Sequence, residues 1–380
     1  MDLNPARVDP ALADADQTLA RIAALVPWMQ QGAARLDDAG EFPAVEMVAL
    51  QQAGALALPL PAEHAAAEPA RIARLTHRLA DMLVRIGLGN LAVGRVVEAH
   101  VNARHLIARY GSQPQRAACA ADVRDGHLYA LWVTDPPQDG LRMARRPQGL
   151  RLTGGKMFCS AAGHATRALV TAMDEAGDTR MLVVPLGLGE RVSPLPSPLQ
   201  GMRAAVTGAV DFTGIEIARD ACLGEPGDYL REPDFSTGAW RGSAVAFGGL
   251  CRLLALAKGQ LSAANRLGNP HHLQRLGTAL IAGETSRLWL HRAARMAEDP
   301  GADPVQAVAY VGLARIAIET ACLDAMRLVQ RSLGLSAFRR GNPVEQLCRD
   351  LGTYLRQPAP DEVLTEAAAC FARKEMPQWP

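Results

Sequence analysis

The chain has 380 residues, 40 Lys and Arg against 39 Asp and Glu, and a formal net charge of +1. Apolar residues make up 49% of it and aromatic ones only 4%, so the interior is built mainly from Ala, Leu and Val, and helix is the default expectation. Balanced charge excludes the concentrated basic surface that nucleic acid or an anionic membrane needs, and the length suggests two or three domains.

The chain opens on helical spacing. Leu12, Ala15, Leu19, Ile22, Val26 and Met29 recur at three- and four-residue steps and form one apolar stripe. Pro27 is expected to bend this helix near its end. A second helix fits residues 44–53 and stops at Gly54; Pro59, Pro61 and Pro69 then mark a loop. Helices follow over 70–86 and Leu91–Tyr110, with Gly111 as the stop, and a short one lies over 113–120.

From about Leu128 the texture changes to short apolar runs divided by Gly, Pro and Asp: 129–134, 150–153, 168–173 and 181–185. That is strand-and-turn composition. In 210–217 the apolar phase slips, which predicts a bulge or bend at Thr213-Gly214. Beyond Tyr229 four long helical segments are expected, over 240–267, 273–298, 304–332 and 343–355, and a last helix over 361–372. The 304–332 segment is apolar almost all round and has to be buried on most sides. The predicted fold class is α+β, with an N-terminal helical domain (1–127), a middle antiparallel β domain (128–228) and a C-terminal four-helix bundle domain (229–380).

The best candidate for a membrane span, around residues 243–257, is broken by Arg252, so none is expected. The first residues lack the pattern of a secretory signal, and seven cysteines without a CxxC pair suit a reduced, cytoplasmic setting. No cysteine or histidine spacing suggests a zinc site, so no metal is expected.

Several local patterns, taken in order, resemble the acyl-CoA dehydrogenase family. They are Arg35-Leu-Asp-Asp-Ala-Gly-Glu-Phe-Pro43, Tyr110-Gly-Ser-Gln-Pro-Gln-Arg116, Val133-Thr-Asp-Pro136 and Leu152-Thr-Gly-Gly-Lys-Met-Phe-Cys-Ser160. Gly201-Met-Arg-Ala-Ala-Val-Thr207 with Phe212, and Pro343-Val-Glu-Gln-Leu-Cys-Arg-Asp350, complete the set. The resemblance implies FAD between the β domain and the C-terminal bundle. It implies that Trp132, Val133 and Thr134 line one edge of the flavin and that Phe158 and Ser160 lie against its redox-active middle. It also assigns Arg266, Gln330 and Gly334 to the FAD pyrophosphate of a neighbouring subunit, hence a homodimer or homotetramer. Lys156, within the fourth pattern, reads as structural.

The chain departs from the family where phosphate and proton are handled. The loop after Thr134-Asp-Pro136 reads Pro137-Gln-Asp-Gly-Leu141, in which Pro137 lacks an N–H and Asp139 repels phosphate. The family's Glu-Gly-Thr falls, without gaps, on Pro358-Ala-Pro360, so the usual proton acceptor and its amide donor are both missing. The alternative base position falls near Ala239 and Trp240, again without a carboxylate.

Two other residues are candidates for the chemistry. A register slip would bring Asp361 over the flavin, although Asp361 also fits the first turn of the last helix. His100 would face the pocket in a monooxygenase, although it also fits a satisfied core histidine. The leading expectation is a FAD-dependent oxidoreductase of the acyl-CoA dehydrogenase type acting on a small acyl or acyl-thioester substrate, such as a CoA thioester, with the usual base absent. The alternatives are a flavin-dependent monooxygenase on the same fold and a non-catalytic scaffold with weakened flavin binding.

Overall fold

The computed structural model describes residues 9–373. Helix α1 (Pro10–Ala39) starts on the Asp9 side chain, which accepts the Ala11 N–H, and ends on Gly40 in the left-handed conformation. It continues past Pro27 for about three further turns, so the proline does not end the helix. Pro27 faces solvent, so the carbonyl it leaves unpaired can be hydrated. Helices α2 (Ala44–Gln52), α3 (Pro69–Gly89), α4 (Leu91–Tyr110) and α5 (Gln113–Arg124) follow, and the intervening loop tightens into 3-10 turns at Ala55–Ala57 and Pro61–His64.

Ten strands come next: β1 (Tyr129–Trp132), β2 (Arg142–Arg146), β3 (Gly149–Thr153), β4 (Gly155–Cys159), β5 (Arg167–Met173), β6 (Thr179–Pro185), β7 (Val192–Pro194), β8 (Gly208–Asp211), β9 (Glu216–Ile217) and β10 (Cys222–Leu223). One sheet has the order β10-β6-β5-β2-β3-β9 with β1 also on β5, and a second has the order β4-β8-β7. The expected antiparallel pairing holds except at β5, which pairs parallel with both β1 and β2. The phase slip at Thr213-Gly214 is a turn between β8 and β9 rather than a bulge, with Gly214 at φ +83°. The register shift lies instead in β4, between Lys156 and Cys159.

The C-terminal part consists of α6 (Asp234–Thr237), α7 (Ala239–Ala263), α8 (Pro270–Glu298), α9 (Pro304–Leu333), α10 (Pro343–Tyr354) and α11 (Pro360–Arg373). Helix α7 stops short of the predicted 267 because Asn265 turns left-handed at φ +53° and Arg266 folds back onto the Leu261 carbonyl. Helix α9 packs on α7, α8 and α11, which buries most of its apolar surface as expected. Helices α7 and α9 are long and apolar enough to cross a bilayer, but both are mostly buried inside the bundle.

The N-terminal helices and the bundle share one core, because α3 crosses α7 at backbone contact. A Cβ at Gly87 would lie 2.3 Å from the Val245 carbonyl oxygen, and one at Gly248 would lie 2.2 Å from that of Val84. Only glycine allows that approach. The crossing fixes the start of α7 against α4 and so shapes the cleft described next.

Candidate active site

A cleft of about 1490 Å³ opens between α4, the ends of β1 and β4, the first turns of α7, and the α9–α10–α11 side of the bundle. Its apolar wall includes Leu131, Val133 and Met202. Its floor is a continuous chain of polar side chains.

That floor starts on α4, where Arg95, Glu98, Asn102 and His105 recur at steps of three, four and three and so share one face. Arg95 pairs with Glu98 and also donates to the Ser160 hydroxyl at 3.4 Å. Asn102 donates to Glu98 Oε1 at 2.6 Å and accepts from Arg241 Nη1 at 3.1 Å. Arg241 Nη2 donates to His105 Nδ1 and to Glu298 Oε1, both at 2.8 Å. Because Nδ1 accepts, the His105 proton sits on Nε2, which faces Asp234 Oδ1 at 3.9 Å.

The charges of the floor are settled by these partners. Burial holds His105 below the ordinary imidazole range, and the adjacent Arg241 adds to that effect. Burial pushes the Asp234 carboxyl up, but the facing His105 N–H, the Tyr110 hydrogen bond and the charge of Arg109 carry it well below the carboxylate range. Glu298 is likewise lowered, Arg241 and His105 outweighing its burial.

Tyr354, the last residue of α10, closes the floor. Its hydroxyl is buried beside Glu98, without a well-formed hydrogen bond among the described residues. Burial and then the Glu98 charge drive that phenol well above its ordinary pKa. Gly242 leaves the room above the pair, since a Cβ there would be 3.5 Å from the Tyr354 oxygen and 3.9 Å from Glu98 Oε1.

Backbone strain gathers around the cleft. Of the non-glycine residues with positive φ, Phe158 (+55°), Met202 (+59°) and Ala359 (+51°) line it, and Ala161 and Val206 adjoin its lining residues. Such conformations persist only where surrounding structure imposes them, and they cluster at functional sites.

The residues singled out from sequence divide between the cleft and elsewhere. Val133, Thr134, Phe158 and Ser160 meet on one wall. Trp132 lies behind that wall, its indole N–H donating to the Ser160 carbonyl at 2.9 Å. Lys156 is buried and donates to Asp135, Thr171 and the Val133 carbonyl, which ties down the Thr134-Asp-Pro136 turn. Arg266 and Gly334 are exposed and Gln330 is half-buried near Cys348; none of the three lines the cleft of its own chain.

Pro358 does line the cleft, its carbonyl accepting from Arg315 at 2.7 Å, and Ala239 lies on the wall opposite. Asp361 lies outside the cleft, exposed in the first turn of α11. His100 is a core residue rather than a pocket one. Its Nε2 meets the Leu56 carbonyl at 3.0 Å, its Nδ1 accepts the Tyr129 N–H at 3.1 Å, and burial and then Arg104 push it down to about 3. Sequence reasoning missed Glu98, Asn102, Arg241 and Tyr354. The signal for the first two was the polar stripe Arg95, Glu98, Asn102, His105 on an otherwise apolar helix.

No family model and no curated protein matches the chain. Solved structures do. Butyryl-CoA dehydrogenase from Megasphaera elsdenii superposes with a TM-score of 0.79 at 16% identity, covering 98% of this chain and 100% of that one. Glutaryl-CoA dehydrogenase from Mycobacterium smegmatis gives 0.77 at 19%, covering 97% and 96%. KijD3, solved with FMN and a dTDP-linked amino-keto sugar, gives 0.79 at 18%, covering 98% and 96%. The chain therefore has the acyl-CoA dehydrogenase fold.

Proposed function

We propose that this chain is a flavin-dependent oxidoreductase acting on a small polar molecule, and that it works as a monooxygenase rather than as an acyl-thioester dehydrogenase. The observation that carries this reading is the polar floor of the cleft. An aliphatic acyl chain laid on Arg95, Glu98 and Asn102 would meet a charged, hydrogen-bonding surface instead of an apolar one, and would strip water from the partly exposed Arg95 and Asn102. A substrate with its own N–H or O–H groups fits the same surface. Pro358 supports the reading from the other side, since it brings to the cleft neither a base nor an amide donor.

The residues present fit the ring of a flavin. The half-exposed Phe158 side chain and the apolar wall would give it a flat face, and Thr134 and Ser160 would offer hydroxyls to its polar edge. Bound there, the flavin supplies two-electron redox chemistry, including oxygen activation when reduced. The protein's part is to orient the substrate. Glu98 accepts a hydrogen bond or proton from the substrate's N–H or O–H and so raises its nucleophilicity, while Tyr354 fixes the adjoining atom.

FAD rather than FMN requires a grip on the dinucleotide tail, and Arg266, Gln330 and Gly334 would supply it from a second subunit. The structures of this fold named above include an FMN complex as well as acyl-CoA dehydrogenases, and their similar identities favour neither reaction.

The test is an absorbance titration with FAD and FMN, oxidised and reduced, followed by two assays. Oxygen uptake by the reduced-flavin complex, stimulated by a hydroxyl- or amino-bearing substrate, is the expected result. Anaerobic bleaching of the bound flavin by an acyl-CoA would overturn the monooxygenase reading, and FMN binding as tightly as FAD would overturn the choice of cofactor.

A further inference from the structure

Away from the cleft, His77 and Asp81 stand one turn apart on α3 and therefore on the same face, and His291 of α8 comes up against them. The His77 and His291 rings lie with centroids 5.1 Å apart, tilted by 34°. His77 Nε2 is 3.6 Å from Asp81 Oδ2, and one ligand atom from each of the three residues lies within 4.8 Å of the others. A pocket of about 500 Å³ that opens on His77 and Asp81 gives access from solvent.

We propose that His77, Asp81 and His291 form a binding site for one borderline divalent cation, Zn²⁺ or Co²⁺, that clips α3 to α8. Two imidazoles and one carboxylate are the donor set such ions prefer, and hard Ca²⁺ or Mg²⁺ would want an all-oxygen sphere. In a tetrahedral zinc site, ligand atoms at bond lengths of about 2.0–2.2 Å lie about 3.3 Å apart. The His77–Asp81 pair is already close to that spacing, and the third edge closes by side-chain rotation, which half-exposed side chains permit. Of the neighbouring cations, Arg78 is engaged with Asp16 and Arg287 with Glu284. The remaining coordination position would be taken by water.

The site ties together two stretches 210 residues apart (291 − 81) on helices that each pack against α7. A bound ion would thus brace the N-terminal helices against the bundle without touching the cleft, since none of its ligands lines that cavity.

The experiment uses the full chain stripped with a chelator, then titrated with Zn²⁺ alone by calorimetry, with Co²⁺ absorption as a separate readout. One ion per chain, a raised unfolding temperature and a visible Co²⁺ band are expected. In H291A and in H77N the zinc affinity should fall by at least the roughly 10–100-fold that losing a supporting partner costs. His77 is exposed and His291 half-buried, so the variants should unfold like the parent without metal. Co²⁺ spectra of the unaltered chain test the site even if a variant misfolds. No binding to the parent, or binding that survives both substitutions unchanged, overturns the proposal.

Discussion

Asp37 and Arg349, 312 residues apart in sequence, form a two-pronged ion pair at 2.8 and 3.2 Å. Arg349 also grips Glu345 and the Gln200 carbonyl, and beside it Asp350 accepts the Met202 N–H at 2.6 Å. Three of the patterns read from the sequence, around Asp37, Gly201 and Arg349, thus meet in one junction at the edge of the cleft. Asp37 is buried and, among the described residues, is paired with no other cation, so Arg349→Ala leaves a charge unpaired in the interior. Breaking such a pair destabilises by about 3–5 kcal/mol. Arg349→Lys should restore little of this, because an ammonium cannot replace the planar fork. Urea unfolding of the two variants measures both effects.

Asp350 makes stability depend on pH. Burial raises its carboxyl from 3.8 to about 6, so between those values the folded chain holds a proton that the unfolded chain releases. The contribution is therefore fully present below 3.8 and is lost as pH rises through 6. Asp350→Asn removes the titration while keeping an oxygen for the Met202 N–H. The variant should gain on the parent in unfolding free energy as pH rises from 4 to 7, and denaturant titrations at several pH values would show it. A constant difference across that range would mean that Asp350 does not titrate there.

The helices were legible because their caps and stripes are local. Asn90 and Gly111 bracket α4, and Asn342 with Pro343 opens α10, each a signal within a few residues. What stayed hidden depended on distant partners. The parallel pairing of β5 leaves no mark on its own apolar run, which reads the same whichever way its neighbours point. Glu98 and Arg241 became site residues only when α4 and α7 met through Asn102. His100 looked poised for chemistry because its backbone partners, Leu56 and Tyr129, lie 44 and 29 residues away.

If Glu98 orients and activates the substrate, Glu98→Gln should lower turnover by about 10²–10⁴-fold, the usual worth of a positioned general base. Flavin affinity should hold, because the carboxylate faces the substrate end of the cleft. Tyr354→Phe removes a buried hydroxyl beside Glu98 that lacks a well-formed hydrogen bond, so it should change stability little while weakening substrate binding. Steady-state kinetics with parallel flavin titrations separate the two effects.

Helix α8 shows solvent an apolar stripe: Leu273, Leu280, Ile281 and Leu288 are 50%, 55%, 70% and 56% exposed, at spacings that place them on one face. A stripe of that kind marks an association surface. A homo-oligomer is expected to cover it, and the double substitution L280E/I281E should yield a smaller species by light scattering with little change in the fold by circular dichroism. If Arg266 and Gly334 reach a neighbour's cofactor, the same variant should also lose FAD affinity while keeping its affinity for FMN.

Phe158 allows the strained wall to be tested directly. Its backbone is held at φ +55°, next to the register shift in β4, while its ring is 47% exposed in the cleft. A left-handed non-glycine residue carries roughly 1–3 kcal/mol of strain, and a half-exposed ring returns little of it through burial. Phe158→Gly should therefore raise the unfolding free energy by about 1 kcal/mol, less than the full strain because glycine also frees the unfolded chain. Flavin affinity should fall at the same time, since the flat face is gone. Phe158→Leu serves as the control, because it keeps the strained backbone but lacks the ring, so it should weaken flavin binding without gaining stability. The opposite pattern, with glycine destabilising and flavin affinity intact, would mean that the ring packs for the fold and that the strain has no role in the site.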